Sequence, residues 1–241
     1  MARTVDPKTG GLYFECREDL SPEFDRVPVL KTGFELPLHV DFRILLGRHR
    51  DASDFRFARE ALTDADLYLF EGGVVHPDYT DALQDVATGD DDALNSFEAH
   101  ARLFRLGGFQ LAQARGLHAS RVPATMLDPP IGHKVLTAMV ALAEVGHLLQ
   151  VEELRVRWLE MIQKRDQWAL NSLKKTVNTI LGKPSNNTRR KVVISRGLMH
   201  YGFAHAVARQ CELKPEFDCT VEFMSFNLNP GDGGAFSEML Y

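Results

Sequence analysis

From Val40 onward, short apolar runs alternate with stretches whose apolar residues recur at helical spacing. V-D-F-R-I-L-L (40–46) ends at Gly47, and Phe55, Phe57, Ala58, Ala61 and Leu62 follow behind Ser53 or Asp54 as an N-cap. This predicts a strand, a turn carrying His49, and a helix. D-L-Y-L-F (66–70) predicts a second strand, closing on Glu71 with Gly72 and Gly73 behind it. A short helix is expected from Asp78 and a longer one from about Asp91 to Gly116, which Gly107-Gly108 is placed to kink or split. V-P-A-T-M-L (122–127) predicts a third strand ending on Asp128, with Pro123 tolerable near its start.

Residues 133–150 predict an apolar helix. The strongest period lies over 151–182, where Leu154, Trp158, Met161, Trp168, Leu173, Val177 and Ile180 mark one face. Arg165 falls on that stripe, four residues after Met161 and three before Trp168. A guanidinium on a buried face needs acceptor partners, or must snorkel to the edge. Val192 to Ile194 form a β-branched run, Gly197 breaks it, and His200 stands where a helix to about Leu213 begins. Gly197 is expected to supply a positive φ for a tight turn, and Gly202 a close backbone approach. C-T-V-E-F-M-S-F, from Cys219, predicts a last strand at a sheet edge. Residues 1–39, interrupted by Pro22, Pro28 and Pro37, predict an edge hairpin or lid, and the Gly-rich segment 229–241 a frayed tail or docking arm.

Strands alternating with helices predict an α/β fold: a mainly parallel or mixed sheet with helices on both faces, as one domain over 40–228. The carboxyl ends of parallel strands share one edge, so His49, Glu71, Asp128 and His200 are expected to converge there. Two imidazoles and one or two carboxylates suit a divalent transition metal that activates water, with His49, Glu71 and His200 as ligands. The same residues suit metal-free chemistry, one histidine acting as general base on water and the other as acid. Arg165 would orient a carboxylate or stabilise an oxyanion. The competing reading is structural, with polar residues terminating strands and His200 capping a surface helix.

Composition narrows the classes. With 44% hydrophobic and 25% charged residues in 241, a sizeable core forms without disulfides or metals as staples. The net charge of -5 argues against a general nucleic-acid binder, and Lys174, Lys175, Arg189, Arg190 and Lys191 read as solvated element ends. Cys16, Cys211 and Cys219 are odd in number and lack CxxC spacing, which fits a reducing compartment. No run approaches the ~18 apolar residues of a membrane span, and the N-terminus has no apolar signal region. A soluble, cytoplasmic protein is expected, with no membrane or nucleic-acid partner. H-E-x-x-H, G-x-S-x-G, P-loop and Rossmann patterns are absent, and the lone Glu144-x-x-His147 reads as a structural histidine.

The order of these motifs resembles the superfamily that joins TraB-type pheromone-shutdown proteins, TIKI proteases, erythromycin esterases and ChaN-like haem-binding proteins. The similar features are Gly47 and His49 after an early strand, Glu71 in F-E-G, and Arg165-Asp166 in K-R-D-Q-W-A. Gly197-Leu-Met-His200 and the aspartate of L-D-P-P-I, Asp128, complete the set. The resemblance spans roughly residues 40–212. The first histidine motif departs from it, being Gly47-Arg48-His49 where the TIKI and TraB branches have G-x-x-H. The resemblance implies a metal-dependent hydrolase of peptides, esters or amides, using Mn, Co or Zn, with Glu71, Asp128, Arg165 and His200 catalytic. Its other branches imply a metal-free esterase, or a non-catalytic module binding haem or a small ligand. A peptide or small-molecule substrate and a possible homodimer belong to the same expectation.

Overall fold

The computed structural model describes residues 4–5, 12–13, 33–47, 59–71, 79–103, 108–128, 152–182, 189–214 and 217–223. The predicted helix at 133–150, with Glu144 and His147, the tail 229–241 and His49 lie outside the described residues. Of the N-terminal segment, β1 (Thr4–Val5) and β2 (Leu12–Tyr13) pair antiparallel as a two-stranded sheet of their own.

The main sheet has five strands: β3 (Val40–Gly47), β4 (Leu67–Phe70), β5 (Ala124–Met126), β6 (Arg190–Gly197) and β7 (Asp218–Phe223). Their order is β5-β4-β6-β3-β7, and every pairing is parallel. The fold is α/β, with helices on both faces of a parallel sheet. β7 is an edge strand, as its imperfect alternation predicts. β6, late in the chain, inserts between β4 and β3 at the centre of the sheet, and its residues Val192 to Arg196 are all buried.

Strand alternation sorts the core into two layers. Phe42, Ile44, Leu46, Leu67, Leu69, Val192 and Ile194 face one side, where they pack on α4 (Glu152–Leu181) and α5 (Tyr201–Glu212) through Ala169, Leu170, Leu173, Phe203 and Val207. Leu45, Tyr68, Phe70 and Val193 face the other side, against α1 (Tyr79–Ala87), α2 (Asp91–Leu103), α3 (Gly108–Ser120) and a helical turn ending at Leu62. The predicted long helix from Asp91 is therefore two helices, the second opening on Gly108. Among the described residues, no helix is long and apolar enough to cross a membrane.

The stripe on α4 is displaced from the predicted one. Ile162, Arg165, Asp166, Ala169, Leu170, Leu173 and Val177 are buried, whereas Trp158, Met161 and Trp168 are half-buried and Ile180 is exposed. The buried line thus runs about one position from the tryptophans. The basic residues at the opposite end of the sheet from the strand carboxyl ends are paired: Lys174 with Glu35, Arg189 with Asp41 and Lys191 with Asp64.

Candidate functional site

Parallel pairing brings the candidate residues to one edge by backbone register alone. Phe70 pairs with Ser195, and Gly47 with Gly197, so Glu71 stands beside the end of β6. The Glu71 amide continues the ladder by donating to the Ser195 carbonyl at 3.0 Å, and the Leu127 amide donates to Phe70 at 3.0 Å. That second bond carries Asp128 to the same edge. Beyond Gly197 the chain makes a 3-10 turn, Leu198–His200, and enters α5 at Tyr201. His200 occupies the N-cap position but makes no side-chain capping bond, and is only 1% exposed. Its imidazole points into the protein, which removes the surface-cap reading.

Gly197 does not have the positive φ expected of it; among the described glycines that conformation belongs to Gly33, Gly89 and Gly182. Its use is close approach. The Gly197 amide donates to Glu71 Oε2 at 2.6 Å, and a Cβ at this position would lie 3.0 Å from the same oxygen. The other carboxylate oxygen, Oε1, accepts from Arg165 Nη2 at 3.0 Å and contacts His200 Nε2 at 3.0 Å. Glu71 is thereby held on three sides.

The second imidazole nitrogen, Nδ1, lies 2.5 Å from Asp166 Oδ1. Arg196 Nη2 is also 3.2 Å from Nδ1, and an arginine can only donate. Nδ1 cannot be both a donor to Asp166 and an acceptor from Arg196. The shorter contact to a carboxylate decides it, leaving Arg196 to donate to Asp128 Oδ1 at 2.9 Å. Asp128 bridges the two guanidiniums, since its Oδ2 lies 2.9 Å from Arg165. Arg196 is fully buried, with its guanidinium 4.9 Å from the Phe203 ring centroid.

The electrostatics follow from this geometry. Burial is the largest influence on His200 and lowers its pKa, as does the Arg196 charge. Glu71, Asp166 and the Asp166 hydrogen bond outweigh both, so the net pKa is raised. For Arg165, burial again opposes the charge, but Asp128 and Glu71 raise its pKa overall. Both ring nitrogens of His200 face carboxylates, an arrangement that favours the imidazolium. Most of the cluster is sealed: the side chains of Asp166, His200 and Arg196 are at most 2% exposed, Asp128 5%, and Arg165 6%. Glu71, at 16%, is the group that meets solvent.

Of the predicted site residues, Glu71, Asp128, Arg165 and His200 are brought together, and His49 lies outside the described residues. Two members are not among the predicted strand-end residues. Arg196 follows Val192 and Ile194 at the strand period of two, so a charge on the α4 side of a buried strand is readable from alternation. Asp166 follows Ile162 and precedes Leu170 at intervals of four, the helical equivalent. Among the described residues, no group of three or more His, Cys, Asp or Glu side chains is placed to hold a metal ion. No family model, curated protein or solved structure matches this chain.

Proposed function

We propose that the chain is a hydrolase in which the Asp166–His200–Glu71 relay activates water against an amide or ester. The observation that carries this reading is the pair of contacts on one buried imidazole, 2.5 Å to Asp166 and 3.0 Å to Glu71. Asp166 fixes the orientation of the ring and stabilises its protonated form. Glu71, the accessible member, takes the proton of the attacking water as general base, while the His200 imidazolium beside Oε1 holds the carboxylate in place. Arg165, tied to Glu71 and Asp128, faces the charge that develops on the substrate oxygen. Arg196 and Asp128 hold the two halves of the cluster in register. The resemblance to the TraB, TIKI and erythromycin esterase proteins supports the same reaction class.

A divalent ion at Glu71 and His200 fits these donors less well. Asp166 on Nδ1 would orient a metal-bound imidazole equally well. Glu71 Oε1 and His200 Nε2, however, are engaged with each other, and Arg165 stands 3.0 Å from that same oxygen. A cation would have to part the pair and lie beside a guanidinium. The deciding experiment is hydrolysis of a panel of peptides and simple esters before and after exhaustive chelation. Activity is expected to survive chelation and to be lost in Glu71→Gln and His200→Asn. Loss on chelation with recovery on adding Mn, Co or Zn would return the metal-dependent reading, and turnover unaffected by either substitution would remove this site from the reaction.

A further inference from the structure

The contacts of the cluster close on themselves. Glu71 Oε1 meets Arg165 Nη2 at 3.0 Å, and the same nitrogen meets Asp128 Oδ2 at 2.9 Å. Asp128 Oδ1 in turn meets Arg196 Nη2 at 2.9 Å, and that nitrogen lies 3.5 Å from Asp166 Oδ1. Asp166 Oδ1 meets His200 Nδ1 at 2.5 Å, and His200 Nε2 returns to Glu71 Oε1 at 3.0 Å. With His200 as the imidazolium, six side chains of alternating charge form a ring in which Glu71 and Arg196 stand opposite each other. Glu71 meets solvent, whereas Arg196 is fully buried and has no access to a substrate. One Arg196 nitrogen, Nη2, makes both of its links in the ring. Its Nε and Nη1 are buried without a partner among the described residues, and the guanidinium lies over the Phe203 ring.

We propose that Arg196 is a positioning residue for the hydrolysis, holding Arg165 and His200 together on Glu71 through the two aspartates between them. This role rests on Glu71 acting as the general base. Arg165 and His200 reach Glu71 from different elements, α4 and the turn that enters α5, and both end on the one oxygen Oε1. Behind them stand Asp128 and Asp166, two buried carboxylates that repel each other unless a cation lies between. Arg196 Nη2 is that cation. Without it, Asp128 still holds Arg165 and Asp166 still holds His200, but nothing in the ring ties the two arms together behind the base. A displacement of about 1 Å at a reacting group can cost about 10²-fold in rate. Because a single nitrogen makes both links, a lysine ammonium can replace it, as it could not replace a bidentate guanidinium. The unpartnered Nε and Nη1 are then removed with no bond broken.

The test measures kcat and KM of the full chain on para-nitrophenyl acetate and the peptide panel, for wild type, Glu71→Gln, Arg196→Met and Arg196→Lys, with folding followed by circular dichroism. Expected in Arg196→Met is a fall in kcat of about 10–10²-fold with KM changed by less than about threefold, since a displaced base weakens the transition state rather than substrate binding. Arg196→Lys should return kcat to within about threefold of wild type. If Arg196→Met does not fold, Arg196→Gln, which keeps an N–H donor without the charge, takes its place. Wild-type kcat in either folded neutral variant, with Glu71→Gln inactive, would overturn the proposal and leave the hydrolase reading intact. So would a loss confined to KM, or Arg196→Lys no more active than Arg196→Met. Failure of both neutral variants to fold would make the residue structural and overturn the proposal as well. A wild-type chain that hydrolyses nothing in the panel, or an unimpaired Glu71→Gln, would instead bring down the hydrolase reading and this role with it.

Discussion

Among the described residues, both faces of the sheet bury polar side chains, and one of them buries charge. On the α1–α3 side, Tyr68 is fully buried and its hydroxyl accepts from Gln113 Nε2 at 3.0 Å, with Ser195 hydrogen-bonded to the same phenol. Burial pushes the phenol up to about 12 despite these bonds, so the group is neutral at all ordinary pH. On the α4–α5 side, three carboxylates, two guanidiniums and an imidazole are interlocked within hydrogen-bonding distance. A satisfied neutral network can rigidify a core at modest cost. An ionic one carries a desolvation penalty that its internal attraction often only balances, so stability is a weak reason for its presence. Among the described residues, two guanidinium nitrogens of Arg196 and one of Arg165 are buried without partners, which adds to that cost. The contrast supports the proposed chemical role of the charged cluster, with the neutral one serving packing.

The largest expected effect is on the charged side. Arg165→Met leaves Glu71 and Asp128 facing each other without their shared cation, and should destabilise the fold by about 3–5 kcal/mol in denaturant titration. Tyr68→Phe on the neutral side should cost only about 1 kcal/mol, the usual net worth of a lost hydrogen bond. Equal costs would dissolve the comparison. Next, His200→Asn should lower turnover by about 10²–10⁴-fold while the circular dichroism spectrum is unchanged. A smaller loss, up to about 10²-fold, is expected for Gly197→Ala, whose methyl would meet Glu71 Oε2 and shift the carboxylate.

The smallest effect is a pH slope. The folded-state pKa of His200 is raised, so its contribution to stability is fully present below about 6.5, the ordinary histidine value. It is lost as pH rises through the folded-state pKa. Wild-type unfolding free energy should therefore decline with pH above neutrality more steeply than that of His200→Asn. Parallel slopes in the two proteins would mean that the imidazole carries no such linkage.

Much of the frame was legible because it depends on local pattern. The apolar runs at 40–46, 66–70 and 192–194 are strands, and Glu71, Asp128 and His200 follow strand ends at one edge of a parallel sheet. The misplaced Arg165 was visible as a break in a helical stripe. Other features were not legible, for identifiable reasons. The buried face of α4 was misplaced because its tryptophans weigh heavily in any hydrophobic pattern yet sit only half-buried. Gly197 was expected to relieve backbone strain, and instead makes room for a carboxylate from another strand.

The amino-acid sequence by itself determined the elements and the residue types presented at their ends, since hydrophobic period and strand alternation act over a few neighbouring residues. Only the tertiary structure decided that β6 lies between β4 and β3, and with it that Glu71 meets the Gly197 amide and the His200 ring. The position of β6 is set by pairing between residues more than a hundred positions apart, Leu67 with Val192 and Val40 with Arg190. For the same reason only the folded chain makes Asp166 the orienting partner of the His200 ring, and Arg196 the buried counter-charge of Asp128 and Asp166.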